Sequence, residues 1–212
     1  MISVFDMFSI GIGPSSSHTV GPMKAAKLFS DLLISKKLLV NVDRVKTELF
    51  GSLGQTGIGH GTGKAIILGL SGETPEEIPV ESIESIVSEV IANQKINLAG
   101  THSVNFPKES AIIYHRRKTL PAHANGMTLY AYQNDALILE QTYYSIGGGF
   151  IVEASDFEKE KDKALSLHNS IKRPHIFSSA DELLKEALQS GLSISTIMMN
   201  NEKCLNEEPY IR

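Results

Sequence analysis

The order of helix-like and strand-like segments limits the folds that this chain can adopt. From Met23 the apolar residues recur at intervals of three and four, which is typical of an amphipathic helix, and Pro22 is tolerated in its first turn. Val42–Phe50 alternates between apolar and polar residues and predicts a strand. Lys64–Leu70 predicts a buried helix, and Val80–Ala92 predicts a second amphipathic helix.

The next third of the chain is strand-like. Turn-forming residues separate its short apolar runs, among them Asn125-Gly126 and the triplet Gly147–Gly149. The candidate strands are Ile96–Leu98, Ala111–Tyr114, Met127–Gln133, Leu137–Ile146 and Phe150–Val152. Because helices and strands are segregated along the sequence, we expect an α+β fold: a mostly antiparallel or mixed sheet with helices packed on it, followed by a short helical C-terminal segment.

The composition changes towards the C-terminus. The charge run Asp156–Lys163 is typical of a solvated linker. Glu182–Ser190 predicts a helix that is capped by the serines before it and stopped by Gly191, and Ser193–Asn206 predicts another helix. We therefore divide the chain into a first domain at 1–153, a linker at 154–178 and the start of a helical domain at 179–212.

Charge and cysteine content exclude several classes of protein. The formal net charge is −4 with acids and bases interspersed, so the sequence shows no patch typical of binding to nucleic acid or to a membrane surface. Cys204 is the only cysteine, which excludes a disulfide scaffold and a multi-thiolate metal site made by this chain alone. No apolar run approaches the roughly 20 residues of a membrane span. Since the N-terminus also lacks the pattern of a signal peptide, we expect a cytoplasmic protein.

The segment Gly11–Pro22 carries the densest group of small polar side chains in the chain. They are Ser15, Ser16, Ser17, His18 and Thr19, and they stand just before the first predicted helix. Free backbone N–H groups at a helix start and nearby hydroxyls suit an anion, and His18 could move a proton near neutral pH. The spacing fits neither a Gly-x-Ser-x-Gly elbow, nor a dinucleotide fingerprint, nor a P-loop. The alternative interpretation is a capped helix with surplus serines.

Two further segments carry candidate proton-transfer residues. Gly51–Gly63 holds six glycines in 13 residues, which predicts a loop, and its His60 and Thr62 suit a general base with a hydroxyl partner. His123 precedes the Asn125-Gly126 turn. The triplet Gly147–Gly149 would let a ligand or another backbone pass close by. Taken singly, each histidine is better explained by hydrogen bonds to backbone or water, and no histidine pair has the spacing of a zinc site.

Together these segments resemble the N-terminal, or β, domain of bacterial iron–sulfur-dependent L-serine dehydratase in its single-chain form. The resemblance covers about residues 1–205, and its motifs are long, separate and in order. They are Ser3–Phe8, Gly11–Pro22, Phe50–Leu53, Thr56–His60, Leu120–Met127 and Tyr143–Ile151. One position departs from the family, which usually continues after His60 with x-Thr-Asp. This chain has Gly61-Thr62-Gly63, so a carboxylate that would orient His60 or Thr62 is missing.

The resemblance implies a reaction and a cofactor. L-serine would lose water, and hydrolysis of the resulting imine would give pyruvate and ammonia. A 4Fe-4S cluster would act as the Lewis acid that binds the hydroxyl and carboxylate of the substrate. The cluster cysteines of the family lie in a C-terminal α domain, of which this chain has only the start. We therefore expect no metal ligand in this chain.

The resemblance also implies roles for individual residues. His60 would be the base, with Thr62 hydrogen-bonded to it or to substrate. His18 and His123 would line the same pocket. The carboxylate of L-serine would be held by Ser15, Ser16, Ser17 and Thr19, and Gly148 would let the backbone approach the cluster.

Two hypotheses follow. In the first, the chain is the substrate-binding and proton-transfer domain of an L-serine ammonia-lyase, inactive alone, completed by an α domain in cis or in trans, and homodimeric. In the second, it is a non-catalytic regulatory domain that binds an amino acid or another anion. A third class, the serine hydrolases, is disfavoured by the missing elbow. The first hypothesis requires His18 and His60 to meet in space, whereas a pure binding domain needs no proton-transfer groups beside its anion site.

Overall fold

The computed structural model describes residues 10–157 and 173–204, which fall into two compact units that divide near residue 157. In the larger unit the helices are α1 (Val20–Ser35), α2 (Gly51–His60), α3 (Thr62–Leu70), α4 (Ile83–Asn93) and the short α5 (Lys108–Ala111). The strands are β1 (Arg44–Phe50), β2 (Lys95–Leu98), β3 (His102–Asn105), β4 (Ile112–Tyr114), β5 (Asn125–Gln133), β6 (Ala136–Gly147) and β7 (Phe150–Glu153).

The seven strands of the larger unit form one mixed sheet in the order β2-β3-β1-β5-β6-β7, with β4 also paired to β1. β1 and β5 are antiparallel along the whole length of β1, from Arg44 opposite Tyr132 to Phe50 opposite Gly126. On its other side β1 pairs in parallel with β3 near its start and with β4 near its end. The expected α+β class is therefore confirmed, and all the predicted strands are present.

The main core lies between the sheet and helices α1 and α3. Val45 and Leu49 of β1 are buried, as are their β5 partners Ala131 and Met127. Helix α3 is buried along nearly its whole length and packs against α1. Burying one large apolar side chain contributes roughly 1.5–3 kcal/mol. This packing fixes the beginnings of α1 and α3, where candidate site residues lie.

The segment Gly51–Gly63, which its glycine content predicts to be a loop, is helical over most of its length. Helix α2 follows β1 directly, and Gly61 ends it with a positive φ of 78° before α3 begins. The glycines allow close packing of a helix: a Cβ on Gly54 would lie 2.3 Å from the carbonyl oxygen of His115. The prediction was wrong because tertiary contacts outweigh the low helix propensity of glycine.

Smaller differences concern element boundaries. β3 was not predicted, because only Val104 of its four residues is buried and the sequence shows no alternation. The segment Val80–Ser82 forms a 3-10 turn ahead of α4, which is otherwise the helix predicted at Val80–Ala92.

The smaller unit, described for residues 173–204, contains α6 (Ala180–Ser190) and α7 (Ile194–Glu202). The Ser179 hydroxyl accepts a hydrogen bond of 3.2 Å from the backbone N–H of Glu182, and Gly191 ends α6 in the left-handed conformation. The predicted cap and stop of this helix are therefore confirmed, as is the helical character of the C-terminal segment.

Some sequence predictions fall outside the described residues. They are the Ser3–Phe8 motif, residues 158–172 of the predicted linker, and the chain from residue 205 onward. Within the ranges that are described, no helix combines the length and apolar character needed to cross a membrane.

Candidate active site

Hydrogen bonds join three parts of the larger unit at one end of the sheet: the turn before α1, the first turn of α2 and the loop that leads into β5. His18 Nε2 lies 3.1 Å from Ser52 Oγ at the start of α2. The backbone N–H of Ser52 donates to the carbonyl of Ala124 at 2.9 Å. The Asn125 amide donates in turn to the carbonyl of Ser145 on β6 at 3.1 Å. These contacts bring segments that are far apart in sequence around His18.

Two histidines lie side by side in this region. The ring centroids of His18 and His60 are 4.6 Å apart, and the ring planes are tilted by 36°. The structure therefore brings together the two residues on which the catalytic hypothesis depends.

Four hydroxyl groups extend this histidine pair. Ser17 Oγ lies 2.9 Å from His18 Nδ1, and Ser15 Oγ lies 3.2 Å from Ser17 Oγ. Thr56 Oγ1 lies 3.1 Å from His18 Nε2. We call the whole set the histidine–hydroxyl cluster; its members are Ser15, Ser17, His18, Ser52, Thr56 and His60.

The hydrogen bonds define the protonation of His18. The Thr56 hydroxyl has one hydrogen and gives it to the Ser52 carbonyl at 3.0 Å, so it can only accept from His18 Nε2. Nδ1 then accepts from the Ser17 hydroxyl. Burial lowers the pKa of His18 from its ordinary value of 6.5, the nearby His60 lowers it further, and a hydrogen bond at Ser52 opposes both. His18 is therefore a neutral imidazole at pH 7.

His60 has the opposite tautomer. Its Nδ1 lies 2.9 Å from the backbone carbonyl of Thr56, which can only accept, so the proton is on Nδ1. Nε2 of the neutral ring consequently carries the lone pair. Among the residues described, no hydrogen bond to this nitrogen is found, and the side chain is partly exposed. His60 is thus arranged to accept a proton at Nε2.

The turn before α1 has the geometry of a helix start. The backbone N–H groups of His18 and Thr19 donate to the Ser15 carbonyl, and that of Gly21 donates to the Ser16 carbonyl. The first helical turn therefore begins near Ser15, ahead of the first residue of α1. N–H groups at the beginning of such a turn have no intrahelical acceptor, which suits an anion.

Thr19 was expected to hold the substrate carboxylate, and Thr62 was expected to bond to His60 or to substrate. In the structure the hydroxyls of both threonines donate to backbone carbonyls. Thr19 Oγ1 donates to the Ser15 carbonyl at 2.7 Å, and the residue is only 2% exposed. Thr62 is fully buried and donates to the backbone carbonyl of His18 at 2.7 Å, not to His60. Both side chains are buried, and both hydroxyls donate to backbone carbonyls of the turn.

His123 and Gly148, which were expected in the same pocket, are not members of the cluster. His123 Nδ1 accepts the backbone N–H of Asn125 at 3.1 Å, and its ring centroid is 6.5 Å from that of Phe157. Gly147–Gly149 have φ values of 104°, 60° and 82° and form the turn between β6 and β7. In the described part of the chain, no hydrogen bond or ring contact joins His123 or Gly148 to the histidine–hydroxyl cluster.

Ser52 and Thr56 were not among the predicted site residues. Thr56 follows Ser52 by four residues, and His60 follows Thr56 by four more. All three side chains therefore lie on one face of α2. This i, i+4, i+8 pattern is visible in the sequence. It has meaning only if the segment is helical, and the glycines had predicted a loop.

The described residues do not fit a 4Fe-4S cluster. In residues 10–157 and 173–204 there is no group of three or more His, Cys, Asp or Glu side chains that could hold a metal ion. Cys204, the only cysteine of the sequence, is exposed. An iron–sulfur cluster is generally held by several cysteine thiolates.

Comparison with known proteins shows which family the chain belongs to. The family described as serine dehydratase beta chain matches residues 3–156. The chain is 49% identical over 212 residues to an L-serine dehydratase of Streptomyces coelicolor, covering 100% of this chain and 46% of the relative. It is 45% identical over 212 residues to L-serine dehydratase 1 of Escherichia coli K12, covering 100% of this chain and 45% of the relative. L-serine dehydratase 2 of the same strain is 46% identical over 209 residues, which is 98% of this chain and 44% of that protein.

The chain thus spans less than half the length of these curated relatives. The family match, however, covers most of the chain and includes every member of the histidine–hydroxyl cluster. On these grounds the chain belongs to the serine dehydratase β-chain family.

Proposed function

We propose that this chain supplies the substrate-binding and proton-transfer part of an L-serine dehydratase, which converts L-serine to pyruvate and ammonia. The observation that carries the proposal is the arrangement of His60. Its Nδ1 proton is held by the Thr56 carbonyl at 2.9 Å, so that Nε2 is an acceptor beside the neutral ring of His18. In this proposal an α domain, in cis or in trans, holds the 4Fe-4S cluster, because the described residues offer no set of ligands for it.

The carboxylate of L-serine would bind at the turn before α1. This turn combines N–H groups at a helix start with the hydroxyls of Ser15 and Ser17, which lie 3.2 Å apart. Ser16 stands between them in the same turn. Hydrogen bonds from neutral donors to a carboxylate are stronger than those between two neutral groups, since the acceptor is charged.

His60 would remove the α-proton of the bound substrate. The proton moves from Cα to Nε2 and passes from there to the departing β-hydroxyl, so that loss of water leaves the enamine of the substrate. The enamine becomes an imine, which water hydrolyses to pyruvate and ammonia. The Thr56 carbonyl would stabilise the resulting His60 imidazolium by accepting a hydrogen bond from Nδ1–H. Because His18 is neutral, it would not repel this imidazolium, although the two ring centroids are only 4.6 Å apart.

The proposal is tested by co-expressing the chain with the remaining, C-terminal part of a relative and measuring pyruvate formation from L-serine. His60→Ala is expected to lower turnover by about 10²–10⁴-fold, the usual contribution of a general base. Gln55→Ala, which changes an exposed residue of the same helix, serves as the control and keeps full activity. Full turnover by His60→Ala would refute the role of His60 as the base. Bound iron in the isolated chain, or pyruvate formation by it, would refute the need for an α domain.

One observation favours the second candidate function, a regulatory domain that binds an amino acid. Both ring nitrogens of His18 are engaged by hydroxyls, which is the arrangement of a fixed binding residue and not of a proton carrier. Calorimetric titration of the isolated chain with L-serine separates the two. A domain that only binds would retain its affinity in His60→Ala, and the complemented enzyme would keep its maximal rate in that variant.

A further inference from the structure

Helix α3 begins without a capping side chain of its own. Gly61 stands at its N-cap position, so the N–H groups of its first turn need acceptors from elsewhere. The hydroxyl oxygen of Tyr114, the last residue of β4, lies beside this first turn, at the place where a side chain of Gly63 would begin. Burial raises the pKa of Tyr114 above its ordinary value of 10, so the phenol remains neutral.

The same tyrosine fills the space between α2 and α3. A Cβ on Gly63 would lie 2.6 Å from the Tyr114 hydroxyl oxygen, and a Cβ on Gly57 would lie 3.3 Å from its ring carbon Cε1. The first distance is well inside van der Waals contact and the second is tight. One glycine on each helix therefore makes room for one aromatic ring.

The first turn of α3, against which Tyr114 packs, also contacts His18. Thr62, the first residue of α3, donates to the His18 carbonyl at 2.7 Å. His60, the last residue of α2, lies against the His18 ring. A displacement between the two helices would therefore change the relative position of the two imidazoles.

We propose that Tyr114 is a positioning residue for His18 and His60. It anchors the first turn of α3 at Gly63 and, through Thr62, sets the place of the His18 backbone. The geometric claim is independent of the reaction; its catalytic meaning rests on the proposed function. In this chain the Tyr114 hydroxyl occupies the space into which any side chain at position 63 would extend.

A double-mutant cycle in the full chain tests the claim. Gly63→Ala is expected to lower Tm by about 4 °C or more, because the new methyl group meets the Tyr114 hydroxyl. Tyr114→Phe is expected to lower Tm by about 2–4 °C, because the hydroxyl no longer packs against the first turn of α3. In the double variant the atoms nearest to the new Cβ are Ile112 Cδ1 at 3.6 Å and the ring Cζ at 3.9 Å, so the Gly63→Ala penalty disappears.

Gly59→Ala is the matched control. A Cβ on Gly59 meets no atom within 4 Å, so this variant should keep or raise Tm, since alanine has the higher helix propensity, and should show no coupling to Tyr114→Phe. Equal effects of Gly63→Ala in the two backgrounds would overturn the proposed contact.

The second readout distinguishes positioning from mere stability. The His18 pKa is followed by NMR titration of the ring protons, without substrate or cofactor. In Gly63→Ala it should rise towards 6.5, because displacement of α3 exposes the ring to water, and in the double variant it should return to the value of Tyr114→Phe. Loss of stability with an unchanged His18 titration would reduce Tyr114 to a structural residue and overturn the proposal. Since neither readout uses turnover, failure of the proposed function would leave this result intact.

Discussion

Thr62 donates a hydrogen bond of 2.7 Å to the main-chain carbonyl of His18, and both residues are buried. The bond links the start of α3 to the turn before α1, across 44 residues of sequence. It explains why a threonine follows the histidine–glycine pair at the end of α2. The hydroxyl positions the backbone of one histidine while the preceding helix carries the other.

Replacement of Thr62 by valine should therefore destabilise the chain. The change keeps the shape of the side chain and leaves the buried His18 carbonyl without its donor, which costs about 1–3 kcal/mol of unfolding free energy. Urea denaturation followed by circular dichroism measures the change. Thr62→Ser keeps the hydroxyl and should therefore keep most of the stability that Thr62→Val loses. Equal losses in the two variants would show that the hydrogen bond contributes little.

The lowered pKa of His18 predicts a pH dependence of stability. Because the folded chain binds a proton at His18 less readily than the unfolded chain does, stability contributed by the neutral ring is complete above pH 6.5. It is lost as the pH falls from 6.5 towards the lowered folded pKa. Denaturation midpoints should therefore rise between pH 5 and pH 7, and His18→Gln should flatten this rise. An unchanged slope in His18→Gln would assign the pH dependence to other groups.

The contact between Gly21 and Ser145 should not tolerate a larger residue. A Cβ on Gly21 would lie 2.2 Å from Ser145 Oγ and 2.9 Å from Ser145 Cβ, so Gly21→Ala forces α1 away from β6. Overpacking of this kind costs about 1–3 kcal/mol. The cost should shrink in the Ser145→Gly background, where the next atom, Ile151 Cγ2, is at 3.7 Å. A cost that is the same in both backgrounds would place its origin elsewhere.

Ser145 itself should be replaceable. Its Oγ is fully buried and has no hydrogen-bond partner among the described residues, so Ser145→Ala should leave stability unchanged or raise it by up to about 1 kcal/mol. Ser30 is an equally buried serine whose hydroxyl donates to the Lys27 carbonyl at 2.8 Å. Ser30→Ala should be the more destabilising of the two changes in thermal unfolding, and the reverse order would contradict the assignment.

The serine hydroxyls of the turn should affect substrate binding more than turnover. Ser17→Ala in the complemented enzyme is expected to raise KM for L-serine by about 5–10-fold, the effect of one lost hydrogen bond to a charged group, with a smaller change in kcat. Ser35→Ala, at the other end of α1, is the control. If Ser17→Ala lowered kcat and left KM unchanged, Ser17 would act on the histidine pair and not on the carboxylate.

The features that were predicted correctly depend on local pattern. The apolar residues alternate along β1 and recur at helical spacing along α1, and most of these side chains are buried in the structure. The apolar pattern therefore predicts both the type of each element and the face that it buries. The meeting of His18 and His60 was expected only from the family resemblance. No local pattern places two residues 42 positions apart within one site.

Hydrogen-bond partners of polar groups were harder to predict, because a polar group finds its partner only in the folded chain. Thr19 and Thr62 have hydroxyls in the expected segments, yet each donates to a backbone carbonyl beneath the turn. Ser52 and Thr56 were missed because α2 was predicted as a loop. Glycine lowers helix propensity, but here it permits contacts such as that of Gly54 with the His115 carbonyl.

His18 and the four hydroxyls of the histidine–hydroxyl cluster are uncharged donors and acceptors. A carboxylate held in this way has no fixed counter-ion to be screened by salt, so its affinity should change little with ionic strength. Under the proposed function, binding by uncharged groups would also be of moderate strength, which would favour release of the small organic acid that the reaction forms.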